Sequence, residues 1–219
     1  MRKKIGIWFE LAFVYITALI IAGFSTVIVS LGGDITTKII ITLLVYVVVT
    51  AIPFLIIILR KIPFTQLGYT KDNIGKQLKI VFFIFCITIS FVVLPLFFGV
   101  SKEDVLSIKY SSIWVLLFYL IYDFLFVGFG EEFIFRGYFI QRLAVATKSD
   151  LFAIIFSSLL FGLWHFPNGR NALQVIMTTI LGLFYGFSKY KMKNCSTVSV
   201  SVAHGLHDAT IALLSYFLL

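Results

Sequence analysis

Three short stretches of this sequence gather side chains that can do chemistry. Glu131-Glu132-Phe133-Ile134-Phe135-Arg136 offers two adjacent carboxylates and a guanidinium, and Phe161-Gly162-Leu163-Trp164-His165 offers an imidazole. His204-Gly205-Leu206-His207-Asp208 adds two imidazoles and a carboxylate, so all 3 histidines of the chain lie in these stretches. On a helix Glu132 and Arg136 are four apart and can pair, whereas Glu131 points about 100° away and has no partner on its own helix. A carboxylate so placed in apolar surroundings is suited to taking and returning a proton. His204 and Asp208 share a face by the same spacing, and His207 can join that face or turn to a neighbouring helix. Each stretch alone has a plainer reading: an interfacial charge cluster at 131–136, an interfacial imidazole beside Trp164 and Pro167, and a His-Asp pair tying two helices together. Together they hold an acid/base carboxylate, two imidazoles and a further oxygen group, a set able to activate water. Two His and a carboxylate also suit Zn²⁺ with one position left open, although the His-Glu-x-x-His pattern of soluble zinc proteases is absent.

The elements that must position these groups follow from composition. Of 219 residues, 60% are hydrophobic, 13% are charged and 25 are Phe, and the mean hydropathy is +1.05. Ordinary soluble domains are about half apolar and about a quarter charged; a soluble enzyme, a disordered chain and a disulfide scaffold are therefore excluded. A bilayer core about 30 Å thick needs roughly 20 apolar residues in a helix, and continuous rather than alternating apolar runs exclude a barrel. The expected fold is an all-α polytopic transmembrane bundle of about seven spans, with six to eight allowed, forming a single membrane domain over 1–219. Spans are expected at about 5–31, 39–59, 79–100, 113–140, 151–166, 172–189 and 197–219, the last being one span or a broken pair because Gly205 and polar residues interrupt it. The first is read as an uncleaved helix, since its apolar run outlasts a signal-peptide core. The 60–79 loop is the one long connection that could lie along the membrane surface.

The net charge of +8 comes from residues flanking apolar runs rather than from one patch, which points to topology and not to nucleic acid. With Arg136 set aside as intramembrane, placing the N-terminus in the cytoplasm leaves 13 basic residues inside and only Lys38, Lys102, Lys109 and Arg170 outside, as the positive-inside rule requires. Cys86 and Cys195 lie in unlike settings and read as free thiols. Gly182-x-x-x-Gly186 reads as helix packing, and Asp123 as a partner for a nearby Tyr or backbone group rather than as an extension of a polar cavity.

Glu131-Glu132-x-x-x-Arg136, Phe161-x-x-x-His165 and His204-x-x-x-Asp208, in that order on separate membrane helices, resemble the three motifs of the CPBP (Abi) intramembrane protease family. That family includes CAAX endopeptidases and bacterial proteins linked to bacteriocin processing or self-immunity. The resemblance covers about 113–212; the sequence before it adds only general hydrophobicity. It implies an intramembrane endopeptidase in which Glu131 is the general base, His165 helps hold the water, His204 and residue 208 stabilise the oxyanion, and Glu132 with Arg136 supports the site. It implies a peptide or protein substrate, prenylated or a bacteriocin or signal-peptide precursor. If the enzyme is a metalloprotease rather than glutamate-dependent, Glu131, His165 and His204 would hold the ion, Zn²⁺ for example. The family often carries Asn where this chain has Asp208, which leaves a neutral donor, a partner orienting His204 and a metal ligand all open. A non-catalytic immunity or partner-binding membrane protein is the alternative, and ion transport a more distant one. Straight spans would put Glu131 towards the cytoplasmic half of its helix and His165 near the external end of the next. Joint catalysis therefore requires the fifth helix to start well inside the cytoplasm, or the fourth to tilt and run on past Arg142; the first of these, or both together, is expected.

Overall fold

The computed structural model describes residues 2–106, 109–169 and 172–219; Arg170, one of the four expected external cations, lies outside them. Seven helices follow the seven expected segments: α1 (Arg2–Ser30), α2 (Ile35–Leu59), α3 (Ile74–Phe97), α4 (Ile113–Thr147), α5 (Asp150–Trp164), α6 (Ala172–Lys191) and α7 (Thr197–Leu218). No strand occurs among the described residues. The protein is an all-α polytopic membrane bundle. Among the described residues five helices, α1, α2, α3, α4 and α6, are long and apolar enough to cross a bilayer. Helix α5 has 15 residues, about 22 Å at 1.5 Å per residue, and α7 is long enough but carries Ser and His along its buried face.

Capping side chains set several starts. Asp34 Oδ1 accepts from the Thr37 amide at 2.7 Å, Ser112 from Val115, Ser149 from Phe152, and Ser196 and Ser199 form a reciprocal capping box at α7, each satisfying an amide that has no helical partner. Helices α2 and α3 start at Ile35 and Ile74, before the expected 39 and 79, because the polar residues of their first turns, Thr36 to Lys38 and Lys76 to Gln77, are helical too. Helix α7 is unbroken across Gly205. That glycine is a packing position, since a Cβ there would lie 2.8 Å from the Phe124 carbonyl oxygen and one at Gly128 would lie 2.6 Å from Gly205 Cα. Gly182 and Gly186 serve the same purpose between α6 and α5, with hypothetical Cβ atoms 3.2 Å from Ser158 and 2.9 Å from Ile154.

The 60–79 connection is anchored to the bundle. Its 3₁₀ turn, Phe64–Leu67, packs into the bundle with Leu67 fully buried. Leu67 O accepts from Lys189 Nζ at 2.9 Å and from Thr197 Oγ1 at 2.5 Å, and Gly68 O from the Thr197 amide at 2.9 Å. Gly68 has φ +85°, and a Cβ there would stand 2.6 Å from both Lys189 Cε and Thr197 Oγ1. A side chain at this position would therefore meet both strain and collision.

Helix α4 decides the depth of the motifs. It runs on past the expected end at 140 to Thr147, and Arg142 stays buried because Glu10 of α1 receives it at 2.6 and 3.0 Å. Arg60 Nε at 2.6 Å and Tyr138 Oη at 2.8 Å complete that cluster. Lys148, in the left-handed region at φ 62°, and the Ser149 cap reverse the chain directly into α5. Glu131 and His165 each stand 17 residues from Lys148, so along the two limbs both lie about 25 Å from the turn and are level.

Candidate active site

Two stretches of α4, Asp123–Gly128 and Phe133–Phe139, are π-helical, and they bracket Glu131 and Glu132. Widened turns of this kind shift the backbone ladder and recur at functional sites. Two carbonyls of the second stretch receive side-chain donors instead: Phe135 O from Ser157 Oγ at 2.7 Å and Arg136 O from Lys189 Nζ at 2.6 Å.

Glu131 is 1% exposed. Its Oε1 accepts from Tyr46 Oη at 2.6 Å and from Trp164 Nε1 at 3.0 Å. Its Oε2 has no hydrogen-bond partner among the described residues and faces His165 Nε2 at 3.9 Å, inside the roughly 6 Å that one bridging water spans. His165 Nδ1 lies 2.8 Å from Phe161 O. A carbonyl only accepts, so Nδ1 carries the proton and a neutral ring keeps its Nε2 lone pair towards Glu131. A water between these two atoms can donate one O–H to each.

Glu132 begins a second, connected chain. Its Oε1 is ion-paired with Arg136 Nη1 at 2.8 Å, a contact without hydrogen-bond geometry, and hydrogen-bonded to His204 Nδ1 at 2.9 Å, while His204 Nε2 continues to Asp208 Oδ2 at 3.2 Å. Both pairs expected from four-residue spacing are therefore made, and His204 joins them across two helices. Tyr185 stacks on the His204 ring at 5.1 Å, and Phe161 receives the Arg136 guanidinium over its face at 4.1 Å. Buried charges need such company, because isolation in a dry interior costs several kcal/mol (about, per ion). His207 is also buried and its Nδ1 has no partner among the described residues. Asp123 comes within electrostatic range of Asp208, Glu131 and His204, so it belongs to the polar side of α4. Tyr110, Tyr119 and Tyr122 also lie within its electrostatic range, but among the described residues it makes no hydrogen bond to a tyrosine or to the backbone, unlike the expected partner.

A three-donor metal set is not formed. Glu131 and His165 converge, but His204 turns both ring nitrogens to carboxylates, and among the described residues no group of three His, Cys, Asp or Glu side chains is placed to hold an ion. The donors present do not fit the Glu131, His165 and His204 ligand set.

The expectation that the N-terminal half adds only hydrophobicity fails at Tyr46. The signal was available: Thr42, Tyr46 and Thr50 recur every four residues and mark a polar stripe on an otherwise aliphatic helix. In the sequence Trp164 stands only as a neighbour of His165, yet its indole N–H donates to the Glu131 carboxylate. Beside the site, α2, α4 and the Phe64–Tyr69 turn bound an apolar groove of about 590 Å³, lined by Phe54, Phe64, Tyr69, Phe126, Phe129 and Phe133 among others, with Gly130 in its wall.

Comparison with known families identifies residues 111–210 as a match to the type II CAAX prenyl endopeptidase, Rce1-like, family, the segment that carries all three motifs. No curated protein and no solved structure matches the chain.

Proposed function

Since residues 111–210 carry a CAAX-protease domain of the CPBP family, whose members are proteases, we propose that this multi-pass membrane protein hydrolyses a peptide bond with a water activated by Glu131. One observation carries the reading: a buried carboxylate oxygen with no hydrogen-bond partner among the described residues, 3.9 Å from a histidine nitrogen whose ring is fixed through its other nitrogen. In this mechanism a water between Glu131 Oε2 and His165 Nε2 gives a proton to Glu131 as its oxygen attacks the scissile carbonyl. Glu131 then returns that proton to the departing amine. His204 Nε2–H turns from Asp208 to the developing oxyanion, with Glu132 holding Nδ1 and Arg136 balancing Glu132. Asp208 serves as the partner that orients His204 before substrate arrives, the role its 3.2 Å contact supports best. The converging donors favour glutamate and histidine over a metal-bound water.

The substrate is a peptide or protein whose cleaved bond adjoins an apolar segment. That segment occupies the groove between α2 and α4, where Gly130 brings the wall next to Glu131; a prenylated C-terminus, the substrate named by the matched family, has the right chemistry. The chain works as one membrane domain with its N-terminus in the cytoplasm, as the distribution of Lys and Arg supports. The test uses protein in lipid nanodiscs and an internally quenched peptide ending in farnesylated Cys-aliphatic-aliphatic-X. Wild type should cleave it, 1,10-phenanthroline should leave the rate unchanged, and Glu131→Gln should abolish cleavage at unchanged helicity. Cleavage retained by Glu131→Gln overturns the mechanism. A wild type that cleaves nothing, but still binds the peptide, favours a non-catalytic partner.

A further inference from the structure

Glu131 spends one of its two oxygens on donors that come from different parts of the chain. Tyr46 reaches it from α2, outside the family-matched segment, and Trp164 from the end of α5, next to His165. Each donor is itself held by a ring contact: Tyr46 edge-on to Tyr122 at 5.4 Å, Trp164 against Phe135 at 6.3 Å. Gly130 lets α2 come close enough, since a Cβ there would be 3.1 Å from Thr50 Cγ2 and 3.7 Å from Tyr46 Cδ1.

We infer that Tyr46 and Trp164 are positioning residues for Glu131. Two donors converging on one oxygen from different helices fix both the position and the plane of the carboxylate. The remaining oxygen is then the sole basic one and is held towards His165. A carboxylate with one donor keeps a rotational freedom that two donors remove, and orientation of the reacting groups is a large share of what such sites contribute. The N-terminal helices thereby complete the site, and the 111–210 segment alone lacks half of the clamp. This role rests on Glu131 being the base.

Two arms separate this inference from that reading. In a Trp8→Phe, Trp114→Phe background Trp164 is the single tryptophan of the 3, and its indole N–H hydrogen-bond band is read by ultraviolet resonance Raman. Adding Glu131→Ala should move that band to the unbonded position, whether or not the protein turns over. An unmoved band overturns the clamp. In the second arm, the farnesylated quenched peptide is cleaved by Tyr46→Phe and by Trp164→Phe with kcat reduced about tenfold each and KM changed less than about twofold, the mark of lost orientation. The double variant should fall short of the product of the two, because both donors share one acceptor. Wild-type kcat in Tyr46→Phe, or a loss confined to KM, overturns the role. If the band moves but wild type cleaves nothing, the hydrolytic reading fails, and the catalytic role of the clamp fails with it while the hydrogen bonds stand.

Discussion

Removing the guanidinium of Arg136 while keeping its bulk tests whether the Glu132 chain is the ionic network described. Arg136 is 1% exposed, sits 2.8 Å from Glu132, and lies 4.1 Å above the Phe161 ring. Arg136→Met fills much of the volume but leaves a fully buried carboxylate with His204 as its remaining charged partner. Breaking a buried pair by removing one member costs about 3–5 kcal/mol, and with His204 still in place the lower end applies, about 3 kcal/mol. Adding Glu132→Leu removes the stranded charge, so the double variant should recover at least about 1 kcal/mol of that loss. Equilibrium unfolding by SDS in mixed micelles, followed by far-ultraviolet circular dichroism, gives all four corners of the cycle. An Arg136→Met variant as stable as wild type, or a double variant less stable than both singles together predict, would refute the reasoning.

Other expectations follow from single contacts. Gly128→Ala should destabilise by about 1–3 kcal/mol, because its Cβ meets Gly205 backbone at 2.6 Å and Ser201 O at 2.9 Å, whereas Gly75→Ala, with nothing within 4 Å, should be neutral or better in the same unfolding assay. Lys189→Met leaves the Arg136 carbonyl without its side-chain donor and loosens the Phe64–Tyr69 turn, costing about 1–3 kcal/mol; measured stability should fall accordingly. Burial pushes the Cys195 thiol up to about 11. At pH 8 its thiolate fraction is then about 0.1%, against roughly a quarter for an ordinary thiol near 8.5. In a Cys86→Ser background, alkylation by iodoacetamide should be slow at pH 8 and rise about tenfold per pH unit up to the thiol's own pKa, as mass spectrometry would record.

What was legible in the sequence was short-range. Glu132–Arg136 and His204–Asp208 are pairs because helical spacing makes them so, and polar groups that are costly inside a membrane were read as functional candidates. The depth of Glu131 was not legible. A span was expected to end near 140, before Gln141 and Arg142, yet Glu10, 132 residues away, neutralises Arg142 and lets α4 continue. The level placement of Glu131 and His165 thus depends on a salt bridge from the first helix. The Thr42, Tyr46 and Thr50 stripe marks a polar face on α2, but nothing in it says which helix that face meets. The orientation of His204 towards Glu132 depends on the close approach of Gly128 and Gly205, which only the packed bundle reveals.

Because the chain has only 3 histidines, their side-chain nitrogens offer the most direct reading of whether two carboxylate–imidazole units converge from separate helices. In protein labelled with ¹⁵N-histidine, long-range proton–nitrogen correlation should show Glu131→Gln shifting the His165 nitrogens and leaving those of His204 in place. Glu132→Gln should do the reverse. Shifts in neither ring, or the same shift in both from either substitution, would contradict the account.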